Sequence, residues 1–289
     1  MTTTKAKAVN KKTGSKSQRH IIVGDVHGEL EGLKEILGQA SLINRAGNWS
    51  GKDSVLVQTG DVIDWGPHSV EAVRFLRTLQ EQAAAAGGKV VRLCGNHELM
   101  LLQGNWRYAN FDDPAGMAGQ LREDIPAGKV LATYTDGTRL YTHAGLRTMI
   151  RQAVEEGTTR RKGLKGLSER LNRIFVDCLK TGNLETHPIF HVDSRRGGSH
   201  EIGGIFWGDY SRITESENAY DIPQVFGHTP TRKNGVEHSH SLKIIDIDAG
   251  MYKGYGGHRV YLEIDRQGTI SEHSQSNGKW AKKALVSGT

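Results

Sequence analysis

The stretch Gly24-Asp25-Val26-His27-Gly28 follows a short apolar run and precedes a segment whose apolar residues have helical spacing. Two later stretches repeat this arrangement, Gly60-Asp61-Val62-Ile63-Asp64 and Gly95-Asn96-His97-Glu98. Each repeat predicts a buried strand, a polar turn and a helix. Because the carboxyl ends of parallel strands meet at one edge of a sheet, we expect the three turns to lie together at that edge.

The apolar residues around the turns support this α/β prediction. The runs 20–23, 54–57 and 90–93 are the predicted strands. Pro67 is well suited to the start of the second helix, because proline is favoured in the first turn. The first helix is predicted from apolar residues that share one of its faces. They are Leu30, Leu33, Ile36, Leu37 and Ala40.

Beyond the third motif the pattern is less regular. Residues 99–204 are predicted to form a helical cap beside the functional edge. Two short strands return to that edge, one ending at His143 and the other at His228. The segments 243–248 and 259–264 look like two strands, and we expect them to pair as an antiparallel hairpin joined by a glycine-rich loop.

The net charge is confined to the start of the chain. The 289 residues have a formal net charge of +6, and residues 1–19 contain six Lys and Arg residues but no Asp or Glu. The remainder is neutral, which argues against a broad nucleic-acid-binding face. We therefore predict a disordered basic tail (1–19), one catalytic domain (20–270) and a polar C-terminal tail (271–289).

The cysteine content and the hydropathy of the sequence favour a cytoplasmic location. Cys94 and Cys178 are the only cysteines, too few for a disulfide framework. The sequence has neither the apolar segment of a secretory signal nor an apolar run of transmembrane length. We expect a cytoplasmic protein without a membrane partner.

Six side chains of metal-ligand type lie where apolar runs end. Two divalent ions about 3.5 to 4 Å apart need a bridging carboxylate, with imidazole and amide or carboxylate ligands on either side. Mixed nitrogen and oxygen ligands suit manganese, iron or zinc better than magnesium or calcium, and manganese is the expected ion. The candidate ligands are Asp25, His27, Asp61, Asn96, His143 and His228.

The order of the three motifs resembles the metallophosphoesterase superfamily and, within it, the phosphoprotein-phosphatase branch. The stretches 104–108, 142–145 and 225–230 are similar to the Shewanella-like protein phosphatases of bacteria and plants. The resemblance covers about residues 20–265. It implies a calcineurin-like β-sandwich flanked by helices, and a metal-dependent phosphatase whose substrate is a phosphorylated protein or peptide, or a small phosphoester.

The resemblance also implies a role for each motif residue. Two divalent ions would activate a water for in-line attack on the phosphorus, without a phosphoenzyme. His97 would protonate the leaving group, and Asp64 would orient His97. Asp25 and His27 would hold the first ion, Asp61 would bridge, and Asn96, His143 and His228 would hold the second.

The sequence departs from the family's pattern at the residues that bind phosphate. Where relatives continue Gly-Asp-x-x-Asp-Arg-Gly, this chain has Trp65. The segment that often carries a second arginine reads Phe206-Trp207-Gly208-Asp209-Tyr210. Tryptophan cannot replace the bidentate contact of arginine with phosphate. It could form an aromatic wall for a phosphotyrosine ring or a nucleobase, or simply pack. Candidate replacement arginines are Arg107, Arg147, Arg195 and Arg196.

Three functions are compatible with these observations. The first is a phosphoprotein phosphatase that acts on Ser, Thr or Tyr. The second is a dinucleoside polyphosphate hydrolase, because Gly66-Pro67-His68-Ser69 also resembles the diadenosine-tetraphosphatase relatives. The third is a metal-binding pseudophosphatase, suggested by the missing arginine. Rates on phosphopeptides and dinucleotides would separate the first two.

Overall fold

The computed structural model describes residues 18–155, 163–209, 221–231 and 233–286. In chain order, the strands and helices of these residues are β1 (His20–Val23), α1 (Leu30–Gln39), β2 (Val55–Gln58), α2 (Ser69–Ala85), β3 (Lys89–Leu93), α3 (Asn96–Leu102), α4 (Pro114–Asp124), β4 (Val130–Leu131), β5 (Tyr134–Thr135), β6 (Leu140–Tyr141), α5 (Thr148–Glu155), α6 (Gly163–Thr181), β7 (Gln224–Phe226), β8 (Glu237–His238), β9 (Ile244–Asp246), β10 (Val260–Ile264), β11 (Ile270–Ser276) and β12 (Lys279–Ala284).

The strands form two sheets. The larger sheet has the order β12-β11-β10-β1-β2-β3-β4, and the smaller sheet has the order β5-β6-β7-β9-β8. β1 to β4 are parallel, whereas β10 pairs antiparallel to β1. In the smaller sheet β6, β7 and β9 are parallel. The carboxyl ends of these parallel strands carry the motif residues.

Successive residues of the central strands pack into different cores. Ile21 of β1 belongs to the core formed with the helices, and Ile22 belongs to the core formed with the smaller sheet. The core between the sheets also contains Tyr141 and Ile245. The apolar face predicted for α1 is buried. The predicted β-sandwich flanked by helices is therefore confirmed.

The predicted pairing of 243–248 with 259–264 is wrong. β9 pairs with β7 and β8 in the smaller sheet. β10 pairs with β1 and β11 in the larger sheet. The alternating pattern identifies a strand but carries no information about its partner, so two strands near in sequence were assigned to one sheet instead of two.

The predicted C-terminal tail is also wrong for most of its length. β11 and β12 form a hairpin that extends the larger sheet, and Trp280 of β12 lies 5.7 Å from the Tyr261 ring. β12 is an edge strand with exposed lysines, so it lacks the apolar pattern of a buried strand.

The predicted basic tail falls mainly on residues 1–17, which lie outside the described residues. Arg19 belongs to the fold: its side chain donates to Glu263 Oε1 at 2.5 Å and to the Ala40 carbonyl at 2.8 Å. The predicted cap, 99–204, is only partly helical, because it also supplies β4 to one sheet and β5 and β6 to the other. No helix in the described part of the chain has the length and hydropathy needed to cross a membrane.

Candidate active site

The motif residues reach one edge of the sandwich from five strands. Each strand ends one or a few residues before its motif residue, so the backbone turns at that point and directs the side chain to the edge. β1 leads to Asp25 and His27, β2 to Asp61 and Asp64, β3 to Asn96 and His97, β6 to His143, and β7 to His228.

The turns are strained and interlocked. Non-glycine residues with left-handed backbone cost on the order of 1–3 kcal/mol each and persist where the surroundings hold them. The backbone N–H groups of Val26 and His27 both donate to the Asp61 carbonyl at 2.9 Å. A Cβ on Gly95 would lie 2.1 Å from Asp61 Oδ1, so only glycine admits that carboxylate. The strained residues are His27 (φ 44°), Asp61 (53°), Asp64 (71°), Trp65 (66°) and His228 (75°).

The Glu98 carboxylate accepts hydrogen bonds from the backbone of two of these turns, and we call these contacts the Glu98 brace. Its Oε2 accepts from the N–H groups of Asp61 and Gly95, each at 2.8 Å. Its Oε1 accepts from Val62 at 2.8 Å and Ile63 at 3.3 Å. Glu98 belongs to the third motif, but the motif alone predicts no role for it.

The Asp61 carboxylate lies at the centre of the site. Its Oδ2 is 3.7 Å from His27 Nε2, 3.6 Å from His143 Nε2 and 4.0 Å from His97 Nε2. His143 Nε2 is also 3.1 Å from His228 Nδ1 and 2.7 Å from Asn96 Oδ1. Asp61 thus belongs to two groups of possible metal ligands, one with His27 and His97 and one with His143 and His228, and within each group the ligand atoms lie within 4.8 Å of one another.

Two histidines of the site contact backbone carbonyls through Nδ1. His143 Nδ1 lies 3.0 Å from the Thr59 carbonyl, and His27 Nδ1 lies 2.9 Å from the Ile63 carbonyl. An Nδ1–H that donates to a carbonyl leaves the Nε2 lone pair free for a metal. Burial lowers the pKa of His143 to about 3 and that of His27 well below its usual value, which favours the neutral, ligating form.

Two carboxyl groups of the site are deeply buried and have raised pKa values. Burial, together with Asp248 and Asp61, raises the pKa of Asp25 well above its usual range. Burial raises the pKa of Asp61 to about 8. Buried carboxylates of this kind are normally paired or coordinate a metal, so a divalent ion would displace their protons. The residues present therefore fit divalent metal ions.

His97 and Asp64 form a tight pair beside this centre. His97 Nδ1 is 2.6 Å from Asp64 Oδ2, and both side chains are buried. Burial opposes the charge on His97, but Asp61 and Asp64 outweigh it and raise its pKa. Asp64 Oδ1 has no hydrogen-bond partner among the described residues. This arrangement suits a proton donor whose Nε2 faces the cleft.

The cleft above these residues has a volume of about 150 Å³ and largely aromatic walls. Trp65 stacks on His27, with ring centroids 4.2 Å apart, and meets the edge of His97 at 4.7 Å. Tyr255 lies 5.2 Å from Trp65. Tyr108, Trp207 and Asp248 also line the cleft. Tyr255 was not predicted from the sequence, because no motif marks the glycine-rich loop that carries it.

The four candidate arginines separate into two groups. Arg196 lines the cleft. Arg107 lies 4.4 Å above the Tyr108 ring and donates to the Tyr108 hydroxyl, so it contacts a wall residue from outside. Arg147 and Arg195 are not among the described residues that line the cleft.

Fold and site together define a metallophosphoesterase. A family model of the calcineurin-like phosphoesterases matches residues 19–232, and the chain belongs to this family. It is a phosphatase enzyme, a hydrolase that binds divalent metal ions.

Within the family the chain is similar to the Shewanella-like protein phosphatases. It is 41% identical over 281 residues to Shewanella-like protein phosphatase 1 of Plasmodium berghei (strain Anka), an alignment that covers 85% of this chain and 71% of that one. It is also 38% identical over 81 residues to the symmetrical bis(5'-nucleosyl)-tetraphosphatase of Pectobacterium atrosepticum, but this alignment covers only 28% of this chain and 24% of that one.

Among solved structures, the fold is similar to the cold-active protein-tyrosine phosphatase of a psychrophilic Shewanella species. The TM-score is 0.68 at 23% sequence identity, and the superposition covers 92% of this chain and 80% of that one. At this identity the likeness concerns the fold.

Proposed function

We propose that this phosphatase is a two-metal phosphoprotein phosphatase with manganese as the expected ion and His97 as its general acid. The main support is the convergence of imidazole, amide and carboxylate groups on Asp61, next to the buried His97–Asp64 pair at 2.6 Å. Asp25 and His27 would hold one ion, Asp61 would bridge, and the other ion would be held by Asn96, His143 and His228.

When bound, the two ions would supply Lewis acidity toward the phosphoryl oxygens and lower the pKa of the attacking water. The chain's own contribution begins with position. The burial of Asp61 and the Glu98 brace beneath it keep the bridging carboxylate in one place, so little reorganisation is needed during the reaction.

The proton for the leaving group would come from His97. The contact with Asp64 fixes Nδ1 as the donor to that carboxylate and leaves Nε2 directed at the cleft. Against the effect of burial, Asp61 and Asp64 raise the pKa of His97 above its usual value, which favours the protonated ring. Transfer of this proton to the leaving oxygen would then neutralise the alkoxide or phenoxide as the phosphorus–oxygen bond breaks.

The walls favour a phosphorylated protein substrate with a planar leaving group. Trp65, Tyr108 and Tyr255 surround the space next to His97, and a phosphotyrosine ring would pack between them. The long alignment with a Shewanella-like protein phosphatase, against the short one with the tetraphosphatase, also favours a protein substrate over a dinucleotide. A cytoplasmic location remains part of this proposal.

The test compares two histidine substitutions in the metal-loaded protein. With manganese and an aryl phosphate, His97→Ala is expected to lower turnover by about 10² to 10⁴, because it removes the general acid. His240→Ala is the matched control, since His240 is exposed and absent from the cleft lining. Equal turnover in both variants would reject His97 as the acid.

A substrate panel then tests the class of substrate. Peptides carrying phosphoserine, phosphothreonine or phosphotyrosine are compared with dinucleoside polyphosphates under one metal condition. We expect the phosphotyrosine peptide to give the highest kcat/KM. A dinucleotide that is hydrolysed faster than every peptide would replace the protein substrate, since a nucleobase could also stack on the aromatic walls.

A further inference from the structure

The side of the cleft next to His27 holds no arginine among the described residues. Trp65 stacks on His27 at 4.2 Å and contacts His97 at 4.7 Å, so an indole occupies the space above these two rings. A substrate phosphate brings negative charge that metal ions alone offset only in part, and guanidinium groups are its strongest side-chain partners.

The other side of the cleft supplies such a group. Of the described residues that line the cleft, Arg196 is the only Lys or Arg. It contacts Thr229, the residue after His228. Arg196 therefore contributes positive charge to this side of the cleft.

The guanidinium is held by two contacts. Arg196 Nη2 donates to Thr229 Oγ1 at 2.5 Å, and Nε lies 2.9 Å from Asp209 Oδ2. Thr229 directly follows His228 in the chain. The contact with Asp209 is an ion pair, since Nε has no hydrogen-bond partner among the described residues.

The loop that carries Arg196 is rigidly built. Arg196 ends a 3-10 turn, Ser194–Arg196, capped by the Asp193 carboxylate, which is 1% exposed. Asp193 accepts from the Arg195 N–H at 2.9 Å and from the Gly203 N–H at 3.2 Å. A Cβ on Gly198 would lie 2.1 Å from the Val192 carbonyl, so the loop folds tightly on itself. These contacts hold the loop, and with it the backbone of Arg196, in one conformation.

We propose that Arg196 binds the phosphoryl group of the substrate. It takes the role of the arginine that relatives carry at the position of Trp65. This inference rests on the proposed phosphatase function. Because Asp209 and Thr229 hold Nε and Nη2, the guanidinium is oriented before the substrate arrives and loses little entropy on binding.

The test uses the metal-loaded full chain with an aryl phosphate as substrate and inorganic phosphate as competitive inhibitor. Arg196→Met is expected to lower kcat/KM by about 10²-fold, as for loss of one group that stabilises transition-state charge. The inhibition constant for phosphate should rise roughly tenfold, because a charge-assisted hydrogen bond is lost. Arg195→Met, its neighbour outside the cleft lining, should leave both values within about twofold.

Two further readouts exclude a merely structural role. Guanidinium ion added to Arg196→Met should restore part of the activity, and Arg196→Lys should retain an intermediate phosphate affinity. Bound metal should equal that of the parent protein. If Arg196→Met fails to fold, the phosphate inhibition constant of Arg196→Lys decides. An unchanged inhibition constant in the folded variants, or activity loss explained by lost metal, would overturn the proposal.

The failure of the proposed function would give a different result. If the unsubstituted protein turned over no phosphoester, that function would be rejected, whereas the Arg196 proposal would still be decided by calorimetric binding of inorganic phosphate to the metal-loaded parent and Arg196→Met proteins. Weaker phosphate binding in the variant supports the proposal, and equal binding overturns it.

Discussion

The floor of the cleft, formed by the motif residues around Asp61, and its walls, formed by Trp65, Tyr108, Tyr255 and Arg196, are built in different ways. The floor residues follow buried parallel strands, and Asp61 and His143 are 2% and 0% exposed. The walls come from loops: Tyr255 is 41% exposed, and Arg196 lies on a short turn between helices and strands. If the proposed function is right, residues at the sheet edge carry the chemistry, whereas the choice of substrate depends on loops that can vary without disturbing that edge.

The largest effect on the floor is expected from the substitution Asp61→Asn. The amide keeps the size of the side chain but removes the charge that would bridge two ions. We expect turnover to fall by about 10³-fold, the upper end of what loss of one electrostatic group costs an active site. Bound manganese, measured by elemental analysis, should fall with it.

Asp124→Asn is the matched control. Asp124 is also a buried aspartate, but it pairs with Arg92 at 3.2 Å, away from the cleft lining. It should reduce stability while the metal content stays unchanged. Retention of both metal and turnover in Asp61→Asn would remove this residue from the centre of the site.

The next largest effect is expected at the brace beneath the floor. Glu98→Gln replaces one of two accepting oxygens with a donor that faces backbone N–H groups. We expect the free energy of unfolding to fall by about 2 to 3 kcal/mol, because buried donors lose a charged partner. Turnover should fall as well, since the Asp61 and Gly95 turns lose their common support.

Chemical denaturation and steady-state rates measure these two effects. Glu31→Gln, on the exposed face of α1, is the control and should change neither value by much. Normal activity in a destabilised Glu98→Gln would mean that the turns keep their geometry without the brace.

The floor could be predicted from the sequence because its information is local. Asp25, Asp61 and Asn96 each sit directly after an apolar run, and parallel strands bring such positions together. The partner of β10 could not be predicted, because strand pairing depends on residues far away in the chain. The residues of the walls could not be predicted to lie together for the same reason. Arg196 and Tyr255 reach the cleft through loops whose path depends on tertiary contacts, and neither is marked by a strand or helix pattern.

A smaller effect is expected at the wall. Trp65→Leu removes the stack on His27 and one aromatic side of the cleft. If the wall selects planar leaving groups, the ratio of kcat/KM for an aryl phosphate to that for an alkyl phosphate should fall by about fivefold to tenfold, since an aromatic pair contributes about 1 kcal/mol.

Trp106→Leu provides the matched control for the wall. Trp106 is 45% exposed and lies outside the cleft lining, so its loss should leave the ratio unchanged. An equal fall in both rates for Trp65→Leu would assign this residue to packing of the floor rather than to selection of the substrate.

The smallest effect lies outside the cleft, where β10 pairs with the hairpin of β11 and β12. Burial opposes the charge on Glu263, but contacts from Arg19, Lys282 and His273 outweigh it and lower its pKa to about 2. The folded pKa is thus below the usual value of 4.5, so the stabilisation is present above about pH 4.5 and is lost as the pH falls toward 2. In Glu263→Gln the deficit in unfolding free energy should therefore shrink across this range, measured by denaturation of the metal-free protein. A deficit that stayed constant would assign the effect to packing, and unchanged turnover at neutral pH would separate this ion-pair cluster from the floor.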